Sequence, residues 1–233
     1  MIKFRHSIVK PLVAIAAFGS VDADDYQIWA TKPIADPPLP KVADTDWPRN
    51  GIDHFIRKKL EQEDVQPSTE AQRTTMIRRV YLDLIGLPPK PEEWRRWNES
   101  ESEIWFEELV DELLKSPHYG ERWARFWLDQ ARFADSDGYE KDEPRPHVYH
   151  WRDWVIDALN RDLPFDQFTE QQIAGDLLPG AGESPRLATG FHRNTLTYRE
   201  GGIDKEEDRV KQVVDRINTV STVWMGLTGM AQG

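Results

Sequence analysis

Cysteine is absent from this 233-residue chain. That absence removes disulfides, zinc–thiolate centres, thiol nucleophiles and thioether attachment of haem from anything the chain does with its own side chains. A positive charge balance is missing as well: 30 Lys and Arg stand against 41 Asp and Glu, a net charge of −11. Nucleic-acid backbones and anionic membrane surfaces select basic faces, so neither is an expected partner. No sustained polar–apolar alternation marks a half-buried strand, and no internal repeat stands out. The N-terminal apolar stretch, "PLVAIAAFGSV", is too short to span a bilayer as a helix.

What is present suffices for a folded core. Hydrophobic residues make up 39% of the chain and aromatics 11%, with ten tryptophans, which argues against wholesale disorder. The length fits one large domain or two small ones. Lys3, Arg5 and Lys10 precede the short apolar run, and Val21 and Ala23 are small residues before a cut. Residues 1–23 therefore read as an export signal with a mature start at Asp24, so the protein is expected in the periplasm or outside the cell, off the membrane once cleaved. Residues 24–49, with Pro33, Pro37, Pro38, Pro40 and Pro48, read as an extended linker or strap.

From Asn50 the periodicity turns helical. Ile52, Phe55, Ile56 and Leu60 form one stripe behind an Asn50 N-cap. Met76, Ile77, Val80, Tyr81 and Leu84 form a second, ended by Gly86. Phe106, Leu109, Val110, Leu113 and Leu114 make a third, and Trp123, Trp127, Ala131 and Ala134 a fourth. Two shorter helices follow in "VYHWRDWVIDAL" and "FDQFTEQQIAGDLL". A last helix over 205–226 carries Val210, Val213, Val214, Ile217, Val220 and Trp224, with Asp204 and Glu207 as its capping box. The expectation is all-α: a single irregular multi-helix domain over residues 50–233. Most tryptophans belong to its core, and a minority are candidate sugar-stacking platforms.

Two polar stretches are candidate sites. In "ADSDGYEKDEPRPHVYHWRDW", Asp135, Asp137, Glu140, Asp142 and Glu143 crowd a loop that turns at Gly138. Alternate carboxylates beside a glycine suit calcium, with Asp135, Asp137 and Asp142 as ligands. The spacing fails the EF-hand pattern, and pairing of these acids with Lys141, Arg145 and Arg152 is the competing reading. His147 and His150, three apart, are candidates for proton transfer or metal binding, or simply cap the following helix. The second stretch holds His192, Arg193, Asn194, Arg199 and Glu200 around Gly201-Gly202. Diverse polar groups beside a flexible turn are what a loop-borne catalytic site requires.

The segment from "SPHYGERWARFWLDQARFADSDGYEKDEPRPHVYHWRDW" through "LPFDQFTEQQIAGDLLP", together with "LIGLPP", "ATGFHRNTLTYREGGIDKEEDRVKQVVDRINT" and "VWMGLT", resembles a known family. It is the cytochrome-associated PSCyt domain of unknown function from large exported planctomycete proteins, and the likeness runs from Trp29 to Thr228. The resemblance implies a c-type haem domain and a further downstream domain as neighbours in full-length members, with no established activity. The family pattern continues past "GLT" into a Cys-x-x-Cys-His motif. Here Met230 and Gly233 stand where its cysteines are expected, so the chain reads as interrupted at the haem-attachment site. Tyr198 and Lys205 also depart from the family's usual asparagine and proline.

Three functional readings follow. One is the front part of an exported, haem-linked protein serving redox chemistry or polysaccharide processing, inactive as a fragment, with haem c supplied only in the full-length form. Another is a non-catalytic helical binding or scaffold module for glycans or proteins. The third is a remnant without function.

Overall fold

The computed structural model describes residues 32–137, 142–195, 202 and 204–227. Residues 1–31, where an export signal and the start of the proline-rich segment are expected, lie outside the described residues, as does the 228–233 ending. Two compact units divide the chain after Thr69.

In the first unit, residues 32–50 form no helix or strand and lead into α1, Gly51–Gln62. Asn50 caps α1 as expected. Its Oδ1 accepts from the backbone N–H of Ile52 at 2.9 Å and of Asp53 at 3.2 Å, and Asp53 returns a carboxylate oxygen to the Asn50 N–H. Both orphan ends of the first turn are thereby satisfied. The apolar stripe does not sink into a core, however. Ile52, Phe55 and Ile56 are exposed, and the buried residue of α1 is Arg57, whose guanidinium lies 3.6 Å from the carboxylates of both Asp44 and Glu61. An arginine can be buried when acids surround its charge.

The second unit is helical throughout its described residues, which contain no strand. It comprises α2 (Arg73–Leu84), α3 (Pro91–Asn98), α4 (Trp105–Leu114), α5 (Pro117–Gln130), α6 (Tyr149–Asn160), α7 (Phe165–Ala174), α8 (Glu183–Ala188) and α9 (Lys205–Met225), with short 3₁₀ turns at Gly175–Leu177 and Thr189–Arg193. The all-α expectation holds. α2, α3 and α4 share a small core of Ile77, Tyr81, Ile85, Trp97, Leu109 and Leu113, so the second stripe faces inward, as do Leu109 and Leu113 of the third, while Leu114 is 43% exposed. Gly86, at φ 73°, ends α2 in the left-handed conformation that glycine adopts without steric cost.

A larger core joins α5 to α9. On α5 the buried residues are Gly120, Ala124 and Leu128, followed by Ala131, whereas Trp123 is 41% exposed and Trp127 only packs against the cluster. The expected face is thus rotated. The reason is close approach: Gly120 and Ala124 let α5 lie against α6, and bulkier side chains on that stripe would hold the helices apart. α6 contributes Trp151, Trp154, Val155 and Ala158. Gln172, fully buried on α7, is satisfied there: it accepts from Trp127 Nε1 at 2.9 Å and donates to Phe168 O at 3.2 Å.

α9 is split along its length. Its C-terminal half packs Val220, Val223 and Trp224 onto the larger core. The Trp224 ring meets Phe191 and Trp127 edge-on at centroid distances of 4.8 and 5.3 Å, and its Nε1 donates to Thr169 Oγ1 at 3.0 Å. Val210, Val213 and Ile217, expected on the same buried face, are instead exposed at 47%, 40% and 58%. Asp204 caps α9 through the N–H groups of Glu206 and Glu207. The reciprocal half of the capping box is not formed, because the Glu207 carboxylate lies 2.6 Å from Lys211 Nζ.

Candidate functional site: a cationic cleft beside an apolar groove

The two polar stretches that the sequence singles out are far apart in the chain but meet in the fold, and Arg145 joins them. The first loop leaves α5 and returns on itself. Ser136 and Pro144 form an isolated antiparallel bridge, Asp137 N–H donates to Glu143 O at 3.0 Å, and Arg145 N–H donates to Asp135 O at 2.7 Å. This pinned return places Arg145 beside Asp137, whose side chain is 4% exposed, with Nε to Oδ1 at 2.7 Å. The same guanidinium reaches the second stretch, donating to Arg193 O at 3.2 Å and Thr195 O at 2.8 Å. One planar fork thus serves a carboxylate and two carbonyls, which is the geometry arginine offers and lysine does not.

A second hub holds Thr195 to α9. Its hydroxyl donates to Asp215 Oδ2 at 2.7 Å, and Arg132 donates to Asp215 Oδ1 at 2.9 Å and to the Thr219 hydroxyl. Between these clamps opens a cleft of about 480 Å³. Three arginines, Arg145, Arg193 and Arg216, line it with His147 and Gln212, and Asp137, already bonded to Arg145, is the lining carboxylate. Arg216 donates to Gln212 Oε1 at 3.3 Å, but its Nε is buried without a hydrogen-bond partner. Both amide atoms of Asn194, 6% exposed, are likewise buried and unpartnered. Orphaned buried donors beside a cleft are unusual and mark a place where a further polar partner fits.

Arg216 also borders a second depression, a groove of about 400 Å³ along α9 lined by Val213, Ile217, Val220, Ser221 and His192. The His192 ring is fixed there, with Nε2 3.1 Å from Ile173 O, so that nitrogen carries the proton and donates.

Of the residues expected to form a site, His192 and Asp137 therefore stand in adjoining depressions, and Arg193 lines the cleft with Asp137. Asn194 is buried beside them. Arg199 and Glu200 lie outside the described residues, as do Gly138, Glu140 and Lys141. Asp135 and Asp142 are exposed, and among the described residues no group of three or more His, Asp or Glu is placed to hold a metal ion. Of the loop acids, Asp137 pairs with Arg145, as the ion-pair reading expects, while Arg152 bonds instead to its neighbour Asp153. His147 and His150 are exposed with nearly parallel rings, centroids 6.3 Å apart. The hub residues Arg145 and Arg216 and the Asp215 clamp were not singled out as a site. Their only sequence signal is charge inside otherwise unremarkable helical and loop text.

A third depression, about 320 Å³, contains the one strongly shifted side chain among the described residues. Burial first, and then the Glu93 and Glu112 carboxylates, push the Tyr81 hydroxyl up to about 12. Glu112 is itself paired with Arg96, so the shift has a sufficient structural cause in the α2–α3–α4 core.

The c-type haem that the sequence resemblance leads one to expect does not fit the residues of this chain: without cysteine there is no thiol to form the thioether links. Among the described residues, no helix is long and apolar enough to cross a membrane. No curated protein and no solved structure matches the chain. Residues 51–230, which include every helix among the described residues and all three depressions, match the family described as PSCyt2, protein of unknown function (DUF1549). The chain belongs to that PSCyt2 family.

Proposed function

We propose that this domain is a non-catalytic binding module that takes an anionic ligand in the cleft between Asp137 with residues 144–148, the Arg193–Thr195 turn and α9. The observation that carries this reading is the gathering of Arg145, Arg193 and Arg216 around one cleft in a chain whose net charge is −11. Arginines on an acidic protein are ordinarily scattered among carboxylates. Here the Arg193 side chain has no ion-pair partner among the described residues, and Arg216 has only a glutamine. A carboxylate, phosphate or sulfate entering the cleft would meet guanidinium groups whose planar forks suit its oxygens. Export, and action beside a c-type cytochrome domain of a larger protein, are part of the same proposal and rest on the N-terminal sequence and the family likeness.

The arrangement favours binding over catalysis. The best-placed carboxylate, Asp137, is bonded to Arg145, and His192 is tied through Nε2 to a backbone carbonyl. Neither is disposed as a general base beside a nucleophile. Titration of the protein with acetate and with inorganic phosphate at low ionic strength, followed by calorimetry, tests the reading. Saturable binding is expected, weakened at least tenfold by Arg216→Gln or Arg193→Ser and reduced by added salt. Failure of the unaltered protein to bind either anion would refute it.

A further inference from the structure

The cationic cleft and the apolar groove are not separate features. Gln212 and Arg216, one turn apart on α9, line the cleft, while Val213, Ile217 and Val220, on the neighbouring stripe of the same helix, line the groove. Arg216 borders both. A β-branched stripe left 40% to 58% exposed at Val213 and Ile217, on a helix whose other half is packed into the core, is an apolar surface that no described residue covers. Its edge is charged on one side only, by the arginine whose Nε lacks a partner.

From this continuity we infer that the ligand is an amphipathic small organic acid, with its carboxylate among Arg216, Arg193 and Arg145 and its apolar body along Val213, Ile217 and Val220. This rests on the anion-binding reading above and extends it to the rest of the molecule bound. The charge order fixes the orientation: a carboxylate in the groove would lose its guanidinium partners, and an apolar body in the cleft would strip Arg193 and Arg216 of water without compensation. Each depression is of small-molecule size, and together they give an apolar wall and a few convergent polar groups, the usual make-up of such a site. The His192 ring, held through Nε2 to Ile173 O, supplies the groove's other wall.

The experiment is a calorimetric series of acetate, butanoate, hexanoate and octanoate below micelle-forming concentrations, with 1-octanol as the uncharged control. Burial of chain methylenes tightens binding by about two- to fourfold each, so octanoate is expected to bind roughly 50-fold or more tighter than acetate. Ile217→Ser, a change at an exposed position whose folding is checked by circular dichroism, should flatten that chain-length dependence. Arg216→Gln should weaken octanoate about tenfold and leave 1-octanol unaffected. If acetate and octanoate bind equally, the cleft binds an anion but the groove does not take an apolar body, and this inference alone fails. If 1-octanol binds as tightly as octanoate, or Ile217→Ser leaves the chain-length dependence intact, the proposed placement is wrong. If no carboxylate and no phosphate binds, the anion-binding reading fails with it.

Discussion

Replacing Gly120 by alanine tests the packing that sets α5 against α6 and so aims the loop between them. Taken as helix chemistry alone, the change should help, because alanine in a helix interior is favoured over glycine by about 0.5–1 kcal/mol. The structure reverses the sign. A Cβ at position 120 would stand 2.4 Å from Ile156 O and 2.6 Å from the Asn160 side-chain amide carbon. The backbone N–H of Gly120 also donates to Asn160 Oδ1 at 2.8 Å, a bond that separation of the helices would stretch. Overpacking of this kind costs about 1–3 kcal/mol, enough to exceed the propensity gain. For a domain of this size each kcal/mol lowers Tm by about 2–4 °C, so Gly120→Ala should melt several degrees below the unaltered protein. Urea unfolding and thermal melts followed by circular dichroism read this directly. Gly120→Ala/Asn160→Ala should recover only part of the loss, since it removes the side-chain clash but not the one with Ile156 O. A single variant as stable as the parent, or more so, would show that the close approach of α5 and α6 is not as described.

Three further outcomes are expected. The Tyr81 hydroxyl has its pKa raised above that of an unfolded tyrosine, to about 12, so its contribution to stability is full below about pH 10 and disappears as pH rises through 12. Tyr81→Phe should abolish that alkaline loss, roughly 2–3 kcal/mol, measured as urea stability between pH 9 and 12; an unchanged slope would show that Tyr81 is not its source. Arg145→Met should destabilise by about 3–5 kcal/mol, because it removes the ion-pair partner of a carboxylate whose side chain is 4% exposed and releases two backbone carbonyls, and Asp137→Asn added to it should restore part of the loss. Asp204→Ala should cost about 1 kcal/mol through the lost α9 cap, read by thermal melting, with no effect on the Asp137–Arg145 pair.

The sequence by itself determined most of the helices, though not α3 and α8, which are too short to show a sustained apolar stripe. Periodic apolar residues mark α2 and α4 with their faces largely correct, and Asn50, Asp204 and Gly86 mark where α1 and α9 begin and where α2 ends, because caps and stripes are local chemistry written within a few residues. It also determined what the chain cannot hold, since a missing cysteine needs no fold to interpret. Which face of α5 is buried was a tertiary decision. Trp123 and Trp127 are the larger hydrophobes, but Gly120 and Ala124 face α6, because backbone approach rewards small residues that a search for bulky ones passes over. The fate of the α9 stripe was also decided there: Val220 and Trp224 find Phe191 and Trp127, while Ile217 and Val213, one and two turns earlier, meet no core among the described residues. The candidate site belongs to the same category. Asp137, Arg145, Arg193, Thr195, Asp215 and Arg216 are spread over 80 positions of sequence. They become one cleft only because a guanidinium and a carboxylate, each with several hydrogen-bonding positions, tie two loops and a helix together, and such pairings have no periodicity to announce them.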